Sequence, residues 1–73
     1  MKLIVTLYRD EAGWIVAECP ALPGCLSQGR TREEALVNIE DAMHGWLAVK
    51  GSQVEDGLKY PLDIEVTEVE VAV

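Results

Sequence analysis

Short blocks of apolar residues in the first 30 positions of the chain predict β-strands. Residues 2–8 and 14–19 are rich in apolar and β-branched side chains, and a polar break at 9–13 separates them. We predict a β-hairpin, because Gly13 can adopt the positive φ that a short loop often requires. Pro20 and Pro23 cannot donate to a ladder, so residues 19–23 should lead to a third short strand at 24–28. The result would be an antiparallel three-stranded meander.

An amphipathic helix is predicted to follow this meander. Thr31 is placed to cap the helix, and Glu34, three residues on, could reach back to the backbone N–H of the cap. The helix should end near Lys50, with Gly51 as its C-cap. At about 100° per residue, one apolar band forms. This band comprises Ala35, Leu36, Ile39, Ala42, Met43, Trp46, Leu47 and Val49, and the opposite side comprises Glu33, Glu40, Asp41, His44 and Ala48.

A final strand is predicted within residues 62–73, where apolar and polar residues alternate again. The apolar positions change parity between Val66 and Val69. Either a one-residue bulge near Thr67 or Glu68, or a strand that shows opposite faces to two different neighbours, would explain the change. A right-handed crossover through the helix would place this strand beside the first and parallel to it.

The predicted fold is therefore α+β with the order β-β-β-α-β: a three-stranded antiparallel meander, one helix on one sheet face, and a C-terminal strand parallel to the first. Apolar side chains occur on both parities of the first two strands: Leu3, Val5 and Leu7 against Ile4 and Tyr8, and Trp14 and Val16 against Ile15 and Ala17. One helix covers one face only, so we expect a second copy or another protein to cover the other face. A homodimer or tetramer is expected.

Composition and charge narrow the function. The 73 residues are enough for one domain, 1–73, and 49% apolar with 26% charged residues is a globular composition. A net charge of −7, from 13 acidic and 6 basic side chains, would repel a phosphate backbone, so we expect no direct nucleic-acid binding. Such a charge attracts a basic protein, although it could equally serve only to keep a small protein soluble.

We expect a cytoplasmic protein that does not contact a membrane. The apolar N-terminal block is too short for a signal peptide, and no segment approaches the ~20 apolar residues of a membrane span. In that compartment Cys19 and Cys25 would remain thiols.

No residue set in the sequence predicts catalysis, a metal or a cofactor. Cys19 and Cys25 are six positions apart without the further Cys or His that a zinc site needs, and His44 lies on the polar side of the helix. A disulfide across the turn is conceivable, but buried thiols are the default. The adjacent carboxylates, such as Asp10 and Glu11, are interpreted as solvated surface. The chain is therefore not expected to be an enzyme.

The two tryptophans receive different interpretations. Trp46 lies on the apolar band of the helix and is expected in the core. Trp14 follows the hairpin turn, where core and exposed partner anchor are equally compatible with the pattern, because tryptophan is enriched at interface hot spots.

The motifs between the strands and the helix resemble those of the HicB family of antitoxins. The matching features are "LPGC" at 22–25, Ser27, Gly29, Thr31, "EEAL" at 33–36, and Asn38 with Ile39. The similarity extends over the N-terminal domain of that family, from about Leu3 to Val73. Many members continue into a C-terminal DNA-binding domain, and this sequence ends at Val73, so we do not expect DNA-binding autoregulation.

The resemblance implies a partial ribonuclease H-like fold without its catalytic carboxylates: Val5 and Thr6 stand where such nucleases carry an aspartate. It also implies a partner, a small basic HicA-like toxin that cleaves RNA. We expect this toxin to contact Tyr8, Asp10, Glu11 and Trp14 around the hairpin, with Glu18 in support. The alternative is a stand-alone oligomeric domain that binds another protein or a small ligand.

Overall fold

Four strands and one helix form the computed structural model, which describes residues 2–50 and 65–71. The elements are β1 (Lys2–Arg9), β2 (Ile15–Glu18), β3 (Leu26–Gly29), α1 (Arg32–Lys50) and β4 (Glu65–Glu70). The sheet has the order β3-β2-β1-β4, and each neighbouring pair is antiparallel. The predicted α+β class, the order β-β-β-α-β and the three-stranded meander are confirmed.

The core lies between one sheet face and α1. Successive residues of a strand point to opposite faces, and Leu3, Val5 and Leu7 of β1 are buried on the helix side. Ile39 and Met43 of α1 are completely buried against them. Leu22, which precedes β3 and which the sequence placed only in a connection, is also completely buried. The loop between β2 and β3 is therefore part of the core.

The predicted parallel orientation of the last strand is wrong, because β4 runs antiparallel to β1. Glu65 begins β4 beside the first residue of α1, where Arg32 Nε donates to both carboxylate oxygens at 3.0 and 2.6 Å. A parallel strand would instead start near the end of α1. The 14 residues between Lys50 and Glu65 can span up to about 46 Å, enough to return along a 19-residue helix of about 28 Å.

No bulge interrupts β4 in its described part. The pairing with β1 is continuous from Lys2 with Glu70 to Leu7 with Glu65. Val71 is buried and Val69 packs against the core, whereas Val66 is 45% exposed on the opposite face. The change of apolar parity therefore reflects side chains that point to two faces; the neighbour that the second alternative expected beside Val66 stays a prediction. Leu62, Ile64 and Val73 lie outside the described residues.

Capping fixes the start of α1 as predicted, with one difference. Thr31 Oγ1 accepts a hydrogen bond from the backbone N–H of Glu34 at 3.1 Å. The Glu34 carboxylate accepts from the N–H of Arg30 at 3.3 Å, one residue before the cap, and not from the cap itself. The first bond satisfies one of the backbone donors that a helix start leaves unpaired, and the second fixes the chain just before the cap. The proposed C-cap, Gly51, lies outside the described residues.

The apolar band of α1 is confirmed except at its last member. Val49 is 81% exposed. The helix packs chiefly on β3 and β2, and these strands have four residues each, so they extend about 13 Å against about 28 Å of helix. The mismatch in length accounts for the exposure of an apolar residue in the last turn.

Gly29 allows the start of α1 to approach β3 closely. A Cβ atom at this position would lie 2.5 Å from the backbone nitrogen of Ala35 and 2.8 Å from the carbonyl carbon of Glu34. Both obstacles are backbone atoms, so a side-chain rotation cannot relieve the overlap. The position requires glycine because any larger residue would push the helix away from the sheet.

We predict that Gly29→Ala lowers the free energy of unfolding by about 1–3 kcal/mol, the usual cost of overpacking a core. Chemical denaturation measures the change. Gly45→Ala is the matched control, because its Cβ would have no atom within 4 Å, and alanine should stabilise the helix by roughly 1 kcal/mol. Equal effects of the two substitutions would contradict the close approach at Gly29.

Candidate interaction surface

The sheet face that points away from α1 is the candidate site. Alternation along the four strands places one set of side chains there. This surface, called the open face below, comprises Ile4, Thr6, Tyr8, Val16, Glu18, Leu26, Gln28, Val66 and Glu68. No element among residues 2–50 and 65–71 covers it, because α1 occupies the other side of the sheet.

Apolar side chains are exposed across the width of the open face. Tyr8 of β1 is 43% exposed, Leu26 of β3 is 57% exposed and Val66 of β4 is 45% exposed. Val16 of β2 lies on the same face and is 9% exposed. The three exposed groups come from a central strand and from both edge strands, so the apolar surface extends over the whole sheet. Such a patch on a small domain is typical of a binding surface.

A carboxylate lies near the middle of the same face. Glu18 on β2 pairs with Thr6 on β1, and these are the two central strands. Thr6 is only 3% exposed, and its hydroxyl donates to the backbone carbonyl of Glu18 at 3.4 Å. Leu26 is the neighbour of Glu18 on β3. Glu18 therefore stands among apolar and satisfied polar groups, half-buried.

Asp10 organises the hairpin loop and is engaged in doing so. Its Oδ1 accepts hydrogen bonds from the N–H groups of Ala12 and Trp14, each at 2.9 Å. Its backbone carbonyl accepts from Gly13 at 3.1 Å, and Gly13 has a φ of 91°, as predicted. Arg9 closes the loop by donating to the Gly13 carbonyl at 3.0 Å. The carboxylate of Asp10 therefore stabilises the conformation of the loop.

Trp14 and Arg30 form a second feature beside the loop. The Arg30 guanidinium lies 5.4 Å from the centre of the Trp14 ring, a cation–π distance. Together with Ala12 and Gly13 they line a shallow depression of about 370 Å³. Trp14 is half-buried, which leaves part of its ring accessible. Trp46, in contrast, packs against the core and donates its indole N–H to the Pro23 carbonyl at 2.9 Å.

The five residues predicted as partner contacts separate into three places. Tyr8 and Glu18 lie on the open face. Glu11 is exposed at the loop tip, and Trp14 lies directly before β2, beside the depression that it lines with Arg30. Asp10 turns its Oδ1 into the loop.

Sequence reasoning missed Leu26 and Val66 as members of the candidate surface. The signal for Val66 was the change of apolar parity in the last strand, which marks the one valine of β4 that faces away from the helix.

The two cysteines are buried free thiols. The N–H of Cys19 donates to the carbonyl of Cys25 at 3.0 Å, so the two residues face each other across the loop. Burial and the neighbouring Cys25 raise the pKa of the Cys19 thiol to about 11, and burial also raises that of Cys25. A raised pKa disfavours the reactive thiolate. The pair belongs to the core, with Leu22 between them in sequence.

Among residues 2–50 and 65–71, no three His, Cys, Asp or Glu side chains converge as metal ligands would. His44 is exposed on α1. No helix in the described part of the chain is long and apolar enough to cross a membrane.

Comparison with known proteins identifies the family. A UPF0150 protein of Archaeoglobus fulgidus is 37% identical over 57 residues, which cover 78% of this chain and 81% of that protein. The chain belongs to the UPF0150 family. The UPF0150 protein Ta0767 of Thermoplasma acidophilum is 47% identical over 47 residues, 64% of this chain and 68% of that protein. No protein-family model matches the chain.

The fold of this UPF0150 chain is that of a HicB domain. The crystal structure of the N-terminal domain of the Burkholderia pseudomallei antitoxin HicB superposes with a TM-score of 0.78. The match covers 100% of both chains at 19% sequence identity. The HicB-like fold expected from the motifs around Thr31 is therefore confirmed.

We predict that Asp10→Ala lowers the free energy of unfolding by about 1–2 kcal/mol, because two backbone donors of the loop lose their acceptor. Asp10→Asn should stay close to the original stability, since an amide oxygen can accept the same bonds. Thermal unfolding of both variants, at one pH, measures the difference. If Asp10→Asn destabilised as much as Asp10→Ala, the role of Oδ1 as loop acceptor would be refuted.

We predict that stability falls as the pH rises from about 9 to about 11. The folded state holds the Cys19 proton more tightly than the unfolded state does, because the pKa is raised from 9.0 to about 11. The unfolded state therefore binds fewer protons in this window, and the loss approaches about 1.4 kcal/mol per pH unit. Cys19→Ala should flatten the slope of unfolding free energy against pH. An identical slope in the variant would contradict the assignment.

Proposed function

We propose that this chain is a non-catalytic, antitoxin-like binding domain of the cytoplasm that sequesters a small basic protein, a HicA-like RNA-cleaving toxin. Residues 1–73 would act as one domain, in a homodimer or tetramer. The observation that carries the proposal is the HicB N-terminal fold over the whole chain, combined with a sheet face that exposes Tyr8, Leu26 and Val66. A domain with this fold and this surface is suited to binding a protein.

Charge supports a basic partner. The chain carries a net charge of −7, and exposed carboxylates such as Glu11 and Glu68 lie around the open face and at the hairpin tip. Opposite charges accelerate association between proteins more than they raise the final affinity. A basic toxin would therefore be captured quickly, which suits an inhibitor that must act before its target does.

The middle of β1 supports a role without catalysis. Val5 is completely buried in the core, and the Thr6 hydroxyl donates to the backbone of Glu18. General acid–base chemistry needs ionisable groups that converge on a cavity. Val5 is aliphatic, and the hydroxyl of Thr6 is already hydrogen-bonded. This position therefore supports a binding role.

The proposed partner contacts are Tyr8, Asp10, Glu11, Trp14 and Glu18, and Asp10 also holds the loop that presents its neighbours. A direct test is a search of the adjacent reading frames for a small basic protein, co-expression of that protein with this chain, and RNA cleavage assays with and without this chain. Protection of the RNA supports the proposal. Unimpeded cleavage, or the absence of any complex, favours a stand-alone domain instead.

We predict that Trp14→Ala weakens binding of that basic protein by about 2 kcal/mol, roughly 30-fold, as expected for a tryptophan at an interface hot spot. Titration calorimetry measures the affinity. Val49→Ala is the control, because Val49 is highly exposed at the far end of α1 and should leave binding unchanged. An unchanged affinity of the Trp14 variant would remove Trp14 from the contact set.

A further inference from the structure

We propose that the open face is the docking surface for the basic partner, and that the partner places a cationic side chain against Glu18. This assignment rests on the proposed function and deepens it. It adds Leu26 and Val66 to the proposed contacts. It also specifies that a cationic side chain of the partner lies at the centre of the sheet.

Apolar exposure gives the first step. Tyr8, Leu26 and Val66 are 43%, 57% and 45% exposed and lie on three of the four strands of the sheet. Two further exposed apolar residues, Val37 and Val49, lie twelve positions apart on α1 and do not form one patch. Only the open face, among the described surfaces, combines several exposed apolar side chains across neighbouring strands. Covering the centre of this face with a partner would therefore remove the most apolar surface from water.

The position of Glu18 gives the second step. Its carboxylate makes no ion pair with any residue of the described part of the chain, and it is flanked by Thr6 and Leu26 in the pairing register. A purely apolar occupant would remove this charge from water without a partner, which is strongly unfavourable. The occupant must therefore bring a cation to the middle of the sheet. Arginine fits best, because its planar guanidinium is weakly hydrated and pairs with carboxylates in two-point contacts.

The same carboxylate argues against a second copy as the occupant. In a twofold dimer the residues near the axis meet their own symmetry mates. The pair of Thr6 and Glu18 lies close to the sheet centre, on the two central strands. Face-to-face packing with the axis at the sheet centre would bring two Glu18 carboxylates together in a site losing its water, and like charges there repel. A basic protein meets no such penalty, so the open face suits it better than it suits another copy.

The peripheral charges are consistent with this arrangement. Lys2 lies 4.0 Å from Glu68 at one end of the face, and Arg30 is stacked on Trp14 near the other. Among the described residues, these two cations are thus engaged away from the centre of the sheet. Glu18 is left for a cation from outside.

The test uses the full chain and the small basic protein identified by the co-expression experiment, with affinities from titration calorimetry. Glu18→Gln keeps the shape and removes the charge, and we expect at least 10-fold weaker binding. Glu18→Lys should weaken binding at least 100-fold, and Leu26→Asp at least 10-fold. Glu40→Gln, which removes one exposed carboxylate from α1, is the matched control and should stay within twofold. Circular dichroism confirms that each variant is folded.

The possible outcomes separate the assignment from the proposed function. If the original chain binds the basic protein and Glu18→Gln behaves like Glu40→Gln, the docking surface is wrong and the function stands. If light scattering shows that Leu26→Asp breaks an assembly of this chain while the basic protein still binds normally, a second copy occupies the face and the assignment is overturned. If the original chain binds no basic protein, the function and the assignment both fail.

Discussion

One helix can cover only one face of a four-stranded sheet, and the rest of this molecule depends on that constraint. At Gly29 the helix backbone occupies the space that a side chain would need, and the residues of the core cluster lie on the helix side of the sheet or in the loop that carries Leu22. The opposite face is left with a mixture of apolar and charged groups. The proposed partner surface is therefore the face that the core does not reach.

The elements that depend on local chemistry could be predicted from the sequence. Thr31 and Glu34 marked the helix start because capping is a contact between near neighbours, and Gly13 marked the hairpin because a positive φ is a property of one residue. The direction of β4 could not be read in the same way. It depends on where a long connection returns, and the contact that reveals it joins Arg32 to Glu65 across 33 positions.

The sheet face that carries the candidate site could be predicted from the sequence, but not all of its residues or their roles. Alternation showed that one sheet face would need a cover, and Tyr8 and Glu18 belong to that face. The contact predicted for Asp10 stays a prediction, and its hydrogen bonds to Ala12 and Trp14 add a role inside the loop. Composition could not show this second role, because it depends on the position of the acceptor atom.

The pairing of Lys2 with Glu70 brings the first and last described strands together at one corner of the sheet. From that corner β1 runs eight residues, about 26 Å, to the hairpin. A domain fused at either end of this chain would therefore emerge on the side remote from Trp14 and the loop. The topology lets the protein be carried as a module in a longer polypeptide while its hairpin remains accessible.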